Sequence, residues 1–283
     1  MSELIACSHP GKSGDILYSV PAAKYLCQLH QTKCHFYISS EYGWLKRLLD
    51  YQDYIEECII PETYKIDHHG HGAQPWDMSP HFRDINYQAV YQFGYRAFPD
   101  ITLPVWHLNN CGISLPPSGQ ELMLGFLKYP ELPRAPLEIA AKEPTKYILD
   151  EPYVVMAPRH DLTPGLDGRT MKDIFYDFAA RCPVRIVQIG RKGEAWPWEN
   201  SLDITGVDWL ETVSWLSRAV GFYGIIFSQG ALAHNFDYPK VFPHNNGGWD
   251  LRHVVITPST LYAVMPSAER VLKFLKLESA NGN

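Results

Sequence analysis

In "SHPGKSGDILYSVPAAKYL", residues 8–26, a Gly-Lys-Ser triplet follows a short apolar run. Such a triplet can close a phosphate-binding loop. A Walker A sequence, Gly-x-x-x-x-Gly-Lys-Ser/Thr, needs both glycines so that backbone N–H groups can wrap the phosphates. Here the second half falls on Gly11, Lys12 and Ser13, and the first glycine's place is taken by Ala6, inside the apolar run. The loop is also too short, so a P-loop is disfavoured. The same stretch holds Gly14 and Asp15, where an expected strand gives way to a helix. In open α/β sheets ligands sit outside the carboxyl ends of the strands, so this carboxylate would face a crevice. Aspartate is also favoured at helix starts as a cap and as a partner for the helix dipole. Position alone supports both roles.

Other chemistry-bearing residues are looser. "DHHGH" brings Asp67, His68, His69 and His71 together, but their spacing fits no standard helix or hairpin ligand pair, so a metal site is disfavoured. The six cysteines show no CxxC or zinc-type spacing. Cys7 and Cys182 sit in or beside apolar runs and read as small buried hydrophobes, and reduced thiols in a cytosolic setting are the simplest account.

Strands and helices alternate around these residues. "LIAC" reads as a strand, and "DILYSVPAAKYLCQLH" as a helix with Ile16, Leu17, Val20, Ala23 and Leu26 near one face. Pro21 is tolerable if regular turns begin near Ser19 and otherwise kinks the helix. "CHFYIS", "YGWLKRLLDY" and "IEECII" read as strand, short helix and strand. From Pro61 to Pro117 the pattern loosens into a long polar, aromatic loop, with "YQAVYQFGY" a candidate strand and "VWHLNNCGI" a short helix. Proline density from Leu115 to Pro152 suggests a connector. The grammar then restarts: "YVVMAP", a loop, the amphipathic "MKDIFYDFAARC", then the strand "VRIVQIG" ending in "RKGE". "WLETVSWLSRAV" reads as a helix with Trp209, Val213, Leu216 and Val220 as its apolar stripe. "GFYGIIF" opens into "SQGALAHNF", "KVF" is a short strand, and the tail "STLYAVMPSAERVLKFLKL" reads as largely helical. Two successive doubly wound α/β lobes follow from this order.

The bulk numbers agree with a globular enzyme-sized chain. Its 283 residues are 46% hydrophobic and 20% charged. The 25 basic and 31 acidic residues give a net charge of −6, which argues against a broad nucleic-acid footprint. No run reads as a transmembrane segment or signal peptide, which points to a cytoplasmic protein.

"HPGKSGDILYSVPAAKYL" resembles the N-terminal signature of the family 9 glycosyltransferases, the ADP-heptose:lipopolysaccharide heptosyltransferase type. In these a Gly-x-x-Gly-Asp loop enters a helix with an early proline. "YVVMAPRHDLTPGLDGRTMKDIFYDFAARC…VRIVQIGRKGE" is similar to their strand, basic loop, helix, strand and Gly-x-x-x-Glu run. "DITGVDWLETVSWLSRAVGFYGIIFSQGALAHNFDYPKVF" resembles their closing stretch. The likeness runs in order along the larger part of the chain and is faint over residues 61–145.

The resemblance implies a GT-B fold, α/β with two Rossmann-like doubly wound lobes facing across a cleft. Residues 1–145 would form an acceptor lobe with connector, and 146–283 a nucleotide-sugar donor lobe whose last helix packs back on the first. Asp15 is implied as the catalytic base. An acceptor hydroxyl is a poor nucleophile, and a carboxylate within hydrogen-bond reach can take its proton. Lys12 and Ser13 would shape the pocket or contact acceptor anions. Arg169 lies near the family's phosphate-contacting lysine, with Arg159 and Lys172 as neighbours, and Glu194 matches its ribose-binding acid. Each also reads as an ordinary solvated side chain. Ser228, Gln229 and Gly230 would present helix N–H groups to the diphosphate. The family usually has Asp-Ser/Thr-Gly-x-x-His at this turn. Here Phe227 or Ser228 takes the place of the Asp, and His234 lies four after Gly230 instead of three, with a packing role as its alternative. His68, His69, Trp76 and His81 read as part of an acceptor-binding loop or as solvated surface.

The implied activity is inverting, metal-independent transfer of a hexosyl or heptosyl group from a nucleoside-diphosphate sugar to an acceptor hydroxyl, with no cofactor. The missing Asp-x-Asp fits that expectation. Two alternatives stay open: a nucleotide-sugar binding protein without turnover, and a transferase acting on hydroxylated bases in DNA.

Overall fold

The computed structural model describes residues 4–62, 78–94, 101–113, 119–158, 167–244 and 255–277. The chain divides into two compact units: residues 1–128 with 250–255, and residues 129–249 with 256–283.

In the first unit, β1 (Ile5–His9), β2 (Cys34–Ile38), β3 (Ile55–Ile59) and β4 (Val90–Gln92) form a parallel sheet in the order β3-β2-β1-β4. β1 and β2 are buried at every position, the pattern of parallel strands covered on both faces. Between them runs α1 (Ser13–His30), which starts two residues ahead of Asp15 and continues through Pro21. Gln31, at φ 54°, ends it by donating its N–H to the carbonyls of Cys27 and Gln28. The helix expected between β2 and β3 is a 3-10 stretch, Ser40–Leu45, running into α2 (Lys46–Asp50). α3 (Leu103–Asn110) has Pro104 in its first turn, where a missing N–H costs nothing. α4 (Gly119–Met123) completes this unit.

The second unit opens with structure where the prolines suggested a plain connector. β5 (Arg134–Ala135) and β6 (Ile148–Leu149) pair in parallel around α5 (Leu137–Lys142). The main elements follow: β7 (Tyr153–Ala157), α6 (Met171–Arg181), β8 (Arg185–Gln188), β9 (Ser201–Asp203), α7 (Trp209–Ser217), β10 (Gly221–Gly224), α8 (Ser228–Ala233), β11 (Lys240–His244), β12 (Thr260–Val264) and α9 (Ala268–Phe274). The six strands are parallel in the order β12-β11-β10-β7-β8-β9. Numbered from β7, that is the Rossmann order read from its far edge, with the reversal between β7 and β10.

Two expectations need correction. The tail is not largely helical, because Thr260–Val264 pairs along its whole length with β11, and only Ala268–Phe274 is helix. Its Thr, Tyr and Val suit a pleated strand better than a helix. In α7 the apolar stripe is also different: Leu210, Val213, Trp215 and Leu216 are buried, Trp209 is half-buried, and Val220 lies past the helix, exposed. α7 is buried on nearly every side, so helical periodicity alone could not pick its inner face. Trp215 is fixed by its own hydrogen bonds. Its indole N–H donates to the Pro144 carbonyl at 2.9 Å, and its carbonyl accepts from the Tyr153 hydroxyl at 2.6 Å.

The second unit's core joins β7, β8, β10, β11, α6 and α9 through Val154, Ile186, Tyr223, Val241, Phe178 and Val271. Behind it, the rings of His234, Phe242 and Tyr262 stack in series at 5.2 and 5.1 Å. All six cysteines are free, and Cys7 and Cys182 are buried. None of the described helices is long and apolar enough to cross a membrane.

Two outcomes test this packing. A Cβ on Gly224 would lie 2.8 Å from both the Cβ and the carbonyl oxygen of Ala157, so Gly224→Ala should destabilise by about 1–3 kcal/mol. A melting temperature equal to wild type would refute that close approach of β10 to β7. The second concerns pH. Burial, helped by Lys240, lowers the His234 pKa from 6.5 to about 3, so between those values the unfolded chain binds a proton that the folded chain does not. Stability is therefore lost as pH falls below 6.5, by about 1.4 kcal/mol per pH unit for each such histidine. Replacing His234 with Phe keeps the stack and should flatten the slope of denaturation free energy between pH 6 and pH 5 by about that amount. An unchanged slope would mean that His234 is charged in the folded protein.

Candidate functional site

In the first unit the strand order reverses between β1 and β4, and the β1 carboxyl end leads straight into α1. β1 ends on His9, whose Nδ1 accepts the N–H of Gly11 at 2.9 Å. A Cβ on Gly11 would lie 2.5 Å from Cε1 of His9 and 3.4 Å from Cβ of Asp15. The chain therefore crosses the histidine ring at a height that only glycine permits. Lys12 is the extended N-cap, and its carbonyl accepts the first helical bond, from the Ile16 N–H at 2.9 Å. Ser13, Gly14 and Asp15 form the first turn, where the positive end of the helix dipole favours a carboxylate. Lys12 is exposed, while Ser13 and Asp15 are half-buried. One turn on, burial and then the Asp15 charge push the Tyr18 hydroxyl pKa upward.

His107 of α3 meets His9 edge-on, with ring centroids 5.1 Å apart. Burial, and then the neighbouring His107, hold His9 well below the usual histidine pKa, and burial takes His107 to about 3. Both rings are neutral at physiological pH. Sequence reasoning assigned nothing to His9 or His107, and read Gly11 only as part of the glycine loop. The available signal was a histidine two residues before a glycine at the end of a strand.

In the second unit the donor-side residues gather on one edge. The loops after β7, β8 and β10 all leave the carboxyl end of the sheet, and β7 and β10 flank the strand-order reversal. After β7, Arg159 lies outside the described residues. Arg169 pairs with Asp167 through Nε at 2.7 Å and Nη2 at 2.6 Å, and Nη2 also donates to the Met265 carbonyl beyond β12. That pairing lowers the Asp167 pKa. α6 begins with a capping box, Asp173 N–H to Thr170 Oγ1 at 3.2 Å and Thr170 N–H to Asp173 Oδ2 at 2.7 Å. Lys172 is exposed beside it, its ammonium 5.5 Å from the centre of the Tyr176 ring.

After β8, Glu194 folds back on its own turn. Its carboxylate accepts the Arg191 N–H at 2.7 Å, and its N–H donates to the Arg191 carbonyl at 3.0 Å. Gly190 has φ 155°, and a Cβ there would lie 2.8 Å from the Glu194 carboxylate. The Thr205-Gly206 turn rests on the same loop through a 3.0 Å bond from the Gly206 N–H to the Gly190 carbonyl. The Gly-x-x-x-Glu spacing thus has a local cause.

After β10, Phe227 caps α8 without a side-chain bond. Ser228 and Gly230 are buried and Gln229 is half-buried. A Cβ on Gly230 would lie 2.8 Å from the Ile225 carbonyl oxygen and from Phe242. His234 ends the helix, buried and neutral in the stack with Phe242. Each donor-side residue in the described set is therefore on or next to one of these three loops, with His234 on the core side of α8.

His68, His69, His71 and Trp76 lie outside the described residues, and His81 closes a short 3-10 turn, half-buried. Among the described residues no group of three or more His, Cys, Asp or Glu side chains is placed to hold a metal ion.

No family model and no curated protein matches the sequence. Solved structures do. The family 9 glycosyl transferase from Veillonella parvula superposes with a TM-score of 0.63 at 10% identity, covering 97% of each chain. E. coli ADP-heptose LPS heptosyltransferase II gives 0.59 at 13%, covering 96% of this chain and 97% of that one. The iron-containing dodecameric glycosyltransferase TibC of enterotoxigenic E. coli gives 0.55 at 18% identity. That match covers 92% of this chain but 62% of TibC, so the chain spans less than two-thirds of that protein's length. With its two parallel-sheet units and these superpositions, the chain has an α/β fold of two Rossmann-like lobes, the GT-B architecture of the family 9 glycosyltransferases.

Proposed function

We propose that the protein is a glycosyltransferase that moves a sugar from a nucleoside-diphosphate donor to an acceptor hydroxyl with inversion, Asp15 serving as general base. The first unit acts as the acceptor lobe and the second as the donor lobe. The observation that carries this reading is the placement of Arg169, Glu194, Ser228 and Gln229 on three loops at the carboxyl edge of a Rossmann-ordered sheet, the edge where such sheets bind nucleotides. Asp15 occupies the equivalent edge of the first unit. The solved structures that superpose include a heptosyltransferase described with ADP, which supports a nucleoside diphosphate as the donor's leaving group.

In this mechanism the acceptor oxygen bonds to the anomeric carbon as its proton passes to the Asp15 carboxylate. The bond from that carbon to the diphosphate oxygen breaks, and the nucleoside diphosphate leaves. Charge grows on that leaving oxygen, where the backbone N–H groups around Ser228 and the basic residues of the β7 loop stabilise it without a metal. Lys12 and Ser13 orient the acceptor. Glu194 holds the ribose hydroxyls. The donor sugar is not assigned, because Phe227 and Ser228 stand where the family has its sugar-contacting Asp. That same departure favours the second reading, a nucleotide-sugar binding protein without turnover.

Thermal shifts against ADP, UDP, GDP and CMP, followed by nucleoside-diphosphate release from a panel of nucleotide sugars with mixed acceptor glycans, separate these readings. At least one nucleoside diphosphate should stabilise the protein, by about 2.7 kcal/mol at a hundredfold excess over Kd. Asp15→Asn should keep that shift and lose transfer by about 10²–10⁴-fold. No shift with any diphosphate would remove the donor site. Binding without turnover in the wild type would select the second reading, and normal turnover in Asp15→Asn would refute the base.

A further inference from the structure

We infer that His9 is the positioning residue for Asp15, holding the Gly11–Asp15 turn through a hydrogen bond that its Nδ1 accepts. This rests on the reading of Asp15 as the base, but its structural half stands alone. Pro10 has no N–H, so the first backbone donor after β1 is Gly11, and that donor is spent on His9 at 2.9 Å. Gly11 is buried and passes so close over the ring that a Cβ would lie 2.5 Å from Cε1. The same Cβ would lie 3.4 Å from Cβ of Asp15, so the ring and the base of the Asp15 side chain both lie within a methyl group's reach of Gly11.

The ring has an aromatic neighbour of its own. His107 meets it edge-on at 5.1 Å, and His107 is itself packed by Phe93 at 5.5 Å and Trp106 at 5.8 Å. These contacts fix the plane of the His9 ring and hence the direction of its Nδ1 lone pair. A neutral imidazole that accepts at Nδ1 carries its proton on Nε2. Burial keeps the ring neutral, so the acceptor is retained well into the acid range. His9 is thus more than filler at the end of a strand.

Two substitutions separate the acceptor from the packing. His9→Asn places an amide oxygen near the position of Nδ1 but loses the ring. His9→Phe keeps the ring against His107 but offers no acceptor. Hydrogen exchange over residues 9–15, read by mass spectrometry on the intact chain, should be about fivefold faster in His9→Phe and near wild type in His9→Asn. Gly11→Ala, which drives a methyl into the ring, should speed the same exchange. In the nucleotide-sugar panel, His9→Phe should lower turnover by about 10–100-fold with the nucleoside-diphosphate thermal shift unchanged, and His9→Asn should restore turnover. Wild-type exchange in His9→Phe, or turnover kept by Phe and lost by Asn, would overturn the assignment. If the wild type itself turns over no donor, the transferase reading fails, and the exchange pattern still decides whether His9 holds the turn.

Discussion

A parallel strand can be joined to its neighbour only by a crossover, and that constraint governs both units of this protein. Every crossover leaves the carboxyl end of one strand and returns to the amino end of the next. All the loops that lead into helices are therefore collected on one edge, together with the positive ends of those helices. At a reversal of strand order two such loops part in opposite directions and leave a crevice. In the first unit the reversal lies between β1 and β4, and in the second between β7 and β10. Asp15 and the Ser228–Gly230 turn owe their positions to this rule before any contact of their own is considered.

The edge loops are then shaped by close approach. Gly11 passes over His9, Gly224 touches Ala157, and Gly230 lies against the Ile225 carbonyl and Phe242. In each case the side chain that is missing is what lets a backbone donor or a short helix sit against the sheet. Interiors are packed to crystal-like density, so such a backbone path cannot be displaced by one methyl without moving its neighbours. The path of the edge loops and the stability of the sheet are consequently set by the same residues.

Much of this could be read from the residues. Of the fully buried strands, β7 is a continuous apolar run and β1 and β2 are mostly apolar, broken by Ser8, His9 and His35, and the alternation of strand and helix dictated parallel sheets. β12 was hidden because "TLYAV" is a short apolar run without a clear period, next to a true helix, and only its pairing with β11 decides its state. The inner face of α7 was hidden for the opposite reason, since a helix buried on most sides has no stripe to find. At the site, Asp15 stood out by its place between a strand and a helix, and Glu194 only through the resemblance to the family. His9 did not, because its role depends on ring orientation and on His107, nearly a hundred positions along the chain.

Arg169 and Glu194 at the second unit's edge already have partners near them in the fold. Arg169 is held by Asp167 and by the Met265 carbonyl, and Glu194 by the Arg191 N–H. Such pairing does not preclude ligand contact. A guanidinium carries five N–H donors and a carboxylate two oxygens, so each can serve a loop and a ligand together. What the local bonds remove is rotamer freedom, which a mobile surface side chain would lose on binding at a cost of about 0.5–1.5 kcal/mol. Under the proposed donor role, a half-exposed Arg169 clamped in this way meets that cost during folding. The exposed Arg169–Asp167 pair contributes little to folding, and under the proposed donor role it acts as preorganisation. By the same logic the first unit uses neutral groups: a buried histidine fixes the backbone beside Asp15 without placing a second charge next to the carboxylate.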